Sequence, residues 1–158
     1  MELLWAPWRI GYIKSGHKDR KCIFCQAKIN PQKNYVFIKN NYSMAMLNIY
    51  PYNNGHTLVF PLRHTGKIFC LEEREVWDIY RTIEETIKLI DKVLKPQGYN
   101  LGVNISDIAG AGIKNHLHIH IVPRWKADTN FMPVISNTKV ISQSLKELYK
   151  QLIKAKSR

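Results

Sequence analysis

No apolar run in this chain approaches the ~18 residues needed to cross a bilayer, so no membrane-spanning helix is expected. The first nine residues, Met1 to Arg9, lack the basic stretch and apolar core of a secretory signal. Cysteine is scarce. Three cysteines are too few for a disulfide scaffold, and two of them form a Cys-x-x-Cys pair, so a reducing cytoplasm is the expected compartment. Acidic residues are also few, 12 against 24 basic ones, for a net charge of +12. That balance favours polyanionic ligands such as nucleotides and polyphosphates, although a general bias toward soluble surfaces would leave the same excess. There is no internal repeat, low-complexity tract or clear linker, and no basic stretch with interleaved aromatics, so nucleic acid is not an expected partner. The one dense basic cluster, Lys154 to Arg158, is expected to be frayed and solvated.

With 45% hydrophobic and 23% charged residues, the 158 residues make one domain with a real core. We divide it into an aromatic N-terminal arm (1–34, with Trp5, Trp8 and Tyr12 as anchors), a core (35–134) and a C-terminal segment (135–158). Strands are expected over 35–38, 43–48, 56–61 and 99–104, with turn formers at Asn40-Asn41 and Pro51 to Gly55. Apolar residues at three- and four-residue steps (Val76, Ile79, Tyr80, Ile83, Ile87, Ile90, Val93, Leu94) predict a long helix over 72–94. Acids at Glu72, Glu73 and Glu75 suit its first turn, and Pro96 with Gly98 ends it. Its Glu84-Glu85 pair reads as solvated surface, and Cys70 as a buried small residue. A terminal helix is expected over 140–153, packing through Ile141, Leu145, Leu148 and Leu152. The fold class is therefore α+β: an antiparallel sheet of about five strands, one long helix and a C-terminal helix.

The fifth strand carries the chemistry. His116, His118 and His120 alternate with Leu117, Ile119 and Ile121. In a strand, alternate side chains share a face, so the three imidazoles form a row with Cα atoms roughly 6–7 Å apart while the apolar set enters the core. A single strand histidine is commonly structural, and alternate histidines can also share a metal. Three in strict alternation point to a functional row. The preceding Gly110-Ala111-Gly112 lets backbone N–H groups approach a phosphate closely. Arg124 and Lys126 add positive charge after the strand.

Cys22-Ile23-Phe24-Cys25 makes a knuckle that presents two thiolates to one metal. A thioredoxin-type redox pair competes with this reading, but the βαβ context it needs is not evident. Candidates for two further ligands are His64 and His116.

The run His116-Leu117-His118-Ile119-His120-Ile121-Val122 resembles the signature of the histidine-triad (HIT) family of nucleotidyl hydrolases and transferases, His-x-His-x-His followed by two apolar residues. The flanking Gly110-Ala111-Gly112-Ile113, Pro123-Arg124-Trp125 and Asp128-Thr129-Asn130-Phe131 are similar to its diadenosine polyphosphate phosphorylase and hydrolase branch. The resemblance runs from about Trp5 to about Val134. It implies a HIT-like fold, His118 as nucleophile, and His120 and His56 as donors to phosphate oxygens. It implies Asn48 as a ribose contact, Asn104 as a contact to ribose or phosphate, and backbone assistance from Gly110, Ala111 and Gly112. By the same resemblance Cys22, Cys25, His64 and His116 would hold a structural zinc, and no catalytic metal is required. The substrate would be a dinucleoside polyphosphate, with inorganic phosphate or water as acceptor, and the protein a homodimer. Gly112 stands where many relatives have glutamine, which favours the phosphorylase-like branch. Alternatives are a water-dependent hydrolase, a nucleoside phosphoramidase, and a zinc-stabilised nucleotide-binding protein without turnover. Two further features bear on the ligand site. The branch commonly has glycine two residues after Asn104, where this chain has Ser106, and Val36, Phe37 and Leu47 either wall a base pocket or belong to the core.

Overall fold

The computed structural model describes residues 22–129 and 141–157. The aromatic anchors Trp5, Trp8 and Tyr12, and also Asn130, Phe131 and Val134, lie outside the described residues. The elements run α1 (Ile23–Ile29), β1 (Val36–Lys39), β2 (Ser43–Leu47), β3 (Thr57–Pro61), a 3-10 turn (Ile68–Cys70), α2 (Glu73–Leu94), β4 (Gly98–Val103), β5 (Ile119–Arg124) and α3 (Leu145–Lys156). The strands form one antiparallel sheet in the order β1-β2-β3-β5-β4.

Period-two alternation sorts the central strands onto two cores. Ala45, Leu47, Val59 and Ile121 join Ile79, Leu89 and Ile90 of α2 and Leu148 and Leu152 of α3. Met44, Met46, Leu58 and Phe60 face the other way and pack with Phe24 and Ala27 of α1. Every residue of β2 and β3 is therefore buried. β1 breaks the alternation. Val36 pairs with Met46 and Ile38 with Ala45, so Phe37 is the extra residue of a bulge. The bulge lets Phe37 and Ile38 both enter the core under the helices. Phe37 and Leu47 are thus core residues, and only Val36 of the three pocket candidates faces α1.

Helix α2 packs on the core through most of the expected stripe, Ile79, Ile83, Ile87, Ile90, Val93 and Leu94, and departs from it toward its N-terminal half. Val76 and Tyr80 are exposed, as is Trp77, while Glu75, Thr82 and Thr86 are buried. The cause is polar pairing at the sheet. Ser43 Oγ lies 2.6 Å from Asp78 Oδ2 and 2.7 Å from Thr82 Oγ1, and Arg63 Nε donates to Glu75 Oε1 at 2.9 Å. Satisfied polar groups can be buried without the usual penalty, so they take positions an apolar count would assign elsewhere. Glu75 also accepts from the Glu72 N–H at 2.9 Å, which caps the helix start.

Cys70 is exposed rather than buried, because it ends a 3-10 turn on the surface. Helix α3 begins at Leu145, not near residue 140, because the Ser144 hydroxyl accepts the Glu147 N–H and starts the helix there. Val140 itself lies outside the described residues, and Ile141 precedes the helix. The basic tail is more ordered than its composition suggests, since helix continues to Lys156, whose Nζ reaches the Phe37 carbonyl at 3.3 Å. Among the described residues no helix is long and apolar enough to cross a membrane.

Candidate functional site

The histidine row lies on the sheet face opposite α2 and α3. His120 pairs in register with Leu58, whose side chain belongs to the α1 core. The ladder of β5 starts only at Ile119, so His116, at a bend, and His118 precede it rather than lying within the strand. That stretch is held by Leu117 N–H donating to the Thr65 carbonyl at 2.6 Å. Phe24 of α1 packs on both rings, with centroids 5.0 Å from His116 and 5.0 Å from His118. His118 and His120 are 5.1 Å apart, and His56, entering from the start of β3, is 5.1 Å from His120.

The hydrogen bonds assign the ring protons. A carbonyl only accepts. His118 Nδ1 is 2.8 Å from the His116 carbonyl, so it carries the proton and leaves the Nε2 lone pair available. His56 Nδ1 accepts from Tyr52 N–H at 3.0 Å, so its proton stands on Nε2, 2.9 Å from His120 Nδ1. His120 then holds its own proton on Nε2. Burial pushes His56 down to about 3, helped by the neighbouring His120 and His118. Burial also lowers His118, opposed by its bond to the His116 carbonyl. His56 and His118 are therefore neutral at pH 7.

A second cluster shares His116. Cys22 Sγ is 3.3 Å from His116 Nδ1, Cys25 Sγ is 3.3 Å from His64 Nδ1, and Cys25 Sγ is 3.8 Å from His116 Nδ1. All four ligand atoms lie within 4.8 Å of one another, so this group can hold a metal ion. Edges of a tetrahedron with zinc-like bonds are roughly 3.3–3.8 Å, the range of the three sulfur–nitrogen contacts just given. His116 Nε2 donates to the Pro61 carbonyl at 2.8 Å, which leaves Nδ1 unprotonated toward the sulfurs, as ligation requires. Burial, then the adjacent Cys22, push the Cys25 thiol above its ordinary value, and a bound cation would reverse that.

Other expected site residues fall nearby. Asn48 Oδ1 accepts the Tyr50 N–H at 2.9 Å and its Nδ2 is 3.3 Å from His56 Nδ1, so it closes a turn as well as touching the row. Asn104 follows Val103, which pairs with Ile119 beside the row, and its Nδ2 lies 3.5 Å from the Gly110 carbonyl. Ala111 is buried, and Gly112 half-buried, in the loop that leads to the row. Ser106 has φ +74°, a conformation natural to glycine, so the loop keeps a glycine-like shape despite the different residue. Arg124 does not offer free charge. It makes a two-pronged ion pair with Asp128, whose Oδ2 also accepts from Asn53 at 2.9 Å.

Three contributors escaped the sequence reading. Phe24 looked like the spacer of the knuckle, and Tyr52 like part of a turn. Gly66 gave no signal at all. A Cβ on Gly66 would stand 2.4 Å from the Lys114 carbonyl oxygen, so only glycine lets the strap after His64 lie against the chain leading to His116.

The chain is 31% identical over 156 residues to an AP-4-A phosphorylase of Mycobacterium tuberculosis, covering 93% of this chain and 80% of that protein. It is 33% identical over 98 residues to an asymmetrical bis(5'-nucleosyl)-tetraphosphatase of Schizosaccharomyces pombe, covering 62% and 53%. Among solved structures, a hypothetical histidine triad nucleotide-binding protein of Sulfolobus tokodaii superposes with a TM-score of 0.67 at 28% identity, over 85% of this chain and 88% of that one. A Zn-bound histidine triad family protein of Mycobacterium smegmatis shares the fold, with a TM-score of 0.68 at 21% identity over 86% and 93%. The HIT domain family matches residues 30–127, and with the histidine row and its proton arrangement already in place, the chain belongs to the HIT family.

Proposed function

We propose that this protein cleaves dinucleoside polyphosphates through a nucleotidyl-histidine intermediate on His118, with inorganic phosphate as acceptor. The observation that carries the reading is the His118 proton arrangement. Its Nδ1–H is held by the His116 carbonyl, so a neutral ring presents Nε2 as nucleophile. Nε2 attacks phosphorus, an N–P bond forms, and the P–O bond to the departing nucleotide breaks. His120, protonated at Nε2, donates to the phosphate oxygens as charge moves, and His56 supports it from behind. Phosphate oxygen then attacks the intermediate and restores His118. Backbone N–H groups of Gly110, Ala111 and Gly112 and the side chain of Asn104 contact the phosphates or ribose. Asn48 contacts the ribose through its second amide hydrogen. The names of the M. tuberculosis and S. pombe relatives support this substrate class, and Gly112 favours phosphate over water.

Cys22, Cys25, His64 and His116 would hold zinc, tying the N-cap and first turn of α1 to the strap after β3 and to the chain that bears the nucleophile. Four protein ligands fill a tetrahedron and leave no open position for substrate, so the role is structural. The whole of 1–158 works as one domain of the cytoplasm. The exposed Val76, Trp77 and Tyr80 on α2 and the half-exposed Leu101 on the edge strand β4 support a homodimer, checked by light scattering.

The test is product analysis of diadenosine tetraphosphate with and without inorganic phosphate. Strictly phosphate-dependent ADP plus ATP is the expected result. AMP plus ATP without phosphate makes water the acceptor. No product in either condition, with no acid-labile label trapped on His118, refutes the enzymatic reading.

A further inference from the structure

We propose that Tyr52 is a positioning residue that makes His120 a hydrogen-bond donor toward the substrate, a role that rests on the reading of His118 as nucleophile. Tyr52 lies in the loop between β2 and β3, which its composition marks only as a turn. Its backbone N–H is 3.0 Å from His56 Nδ1. A backbone N–H only donates, so that nitrogen must accept, and Asn48 Nδ2 adds a longer contact to it at 3.3 Å. His56 Nε2–H then faces His120 Nδ1 at 2.9 Å. This sets the second proton: His120 accepts at Nδ1 and donates at Nε2. The opposite arrangement would place two N–H groups face to face at Tyr52 and turn His120 Nε2 into an acceptor, which cannot stabilise charge developing on phosphate oxygens.

The side chain completes what the amide begins. The Tyr52 ring lies parallel to His120, with 3° between planes and 5.7 Å between centroids, and 4.5 Å from His56. It therefore covers the histidine pair whose protons the amide has ordered, and limits His120 to one ring orientation. The loop itself is anchored. Asn53 Nδ2, one residue on, is 2.9 Å from both the Pro123 carbonyl and Asp128 Oδ2, so Tyr52 is tied to the far end of β5. The amide selects the proton arrangement and the ring keeps it in place.

The experiment uses the full-length, zinc-supplemented chain as wild type, Tyr52→Phe and Tyr52→Leu. Long-range 1H–15N spectra of the imidazoles read the protonated nitrogen, and steady-state kinetics on diadenosine tetraphosphate read kcat and KM. The wild type should carry its protons on Nε2 of both His56 and His120. Tyr52→Phe keeps ring and amide and should hold kcat within about twofold. Tyr52→Leu keeps the amide and loses the ring, so it should leave the protons on Nε2 of both histidines while lowering kcat roughly tenfold or more, with KM within about threefold. A wild-type His120 protonated on Nδ1, or a Tyr52→Leu protein with unchanged kcat, overturns the assignment. The wild-type spectra decide even if the leucine variant fails to fold. A wild type that turns over no dinucleotide overturns the reading of the site, and the spectra still judge the proton arrangement by itself.

Discussion

Acid is expected to unfold this protein in part through His56. The ring is 1% exposed and held neutral, with its pKa pushed down to about 3 from an ordinary 6.5. Between those values the unfolded chain binds a proton that the folded chain does not, so stability rises with pH across that window. Well above pH 6.5 both states are neutral and His56 contributes nothing to the dependence. As pH falls through 6.5 stability drops, with a limiting slope of about 1.4 kcal/mol per pH unit, and the loss levels off near pH 3. At pH 5 it amounts to roughly 2 kcal/mol. The assay is urea unfolding of zinc-supplemented protein at pH 8 and pH 5, at fixed ionic strength, for wild type and His56→Gln. The wild type should lose about 2 kcal/mol more than the variant between the two conditions. His116, which is not among the groups acting on His56, is common to both proteins and cancels in the comparison, whereas His118 and His120 are coupled to His56, so the difference reads His56 together with that coupling. Equal pH dependence in the two proteins would refute the argument that His56 is buried neutral.

Purified protein should contain one zinc per chain by elemental analysis, and Cys22→Ser should lose it and cost more than about 2 kcal/mol of stability. Retained zinc, or unchanged stability, would remove the metal site. Gly66→Ala forces a Cβ against the Lys114 carbonyl and should cost about 1–3 kcal/mol while weakening metal retention, read by chelator competition. Ser106→Gly relieves a positive φ and should raise stability by about 0.5–1 kcal/mol in thermal unfolding; a loss would show that the Ser106 side chain is needed.

Much of this architecture could be read from short-range pattern. The apolar strand runs at 43–47 and 57–61, the turn formers between them, and the first-turn acids and Pro96–Gly98 stop of α2 each depend on neighbouring residues, so the sequence alone carried them. The alternation of His116, His118 and His120, and the Cys22-x-x-Cys25 spacing, marked the chemistry for the same reason. What only tertiary structure decided involves partners far apart in the chain. The burial of Glu75 and Thr82 on α2 depends on Arg63 and Ser43 meeting them, and no helical period contains that information. Arg124 became a clamp rather than a free charge because Asp128 and Asn53 meet it. The proton positions on His118 and His56 follow from a carbonyl at His116 and an amide at Tyr52. Spacing can bring such groups near, but hydrogen-bond direction is settled only once the backbone is in place.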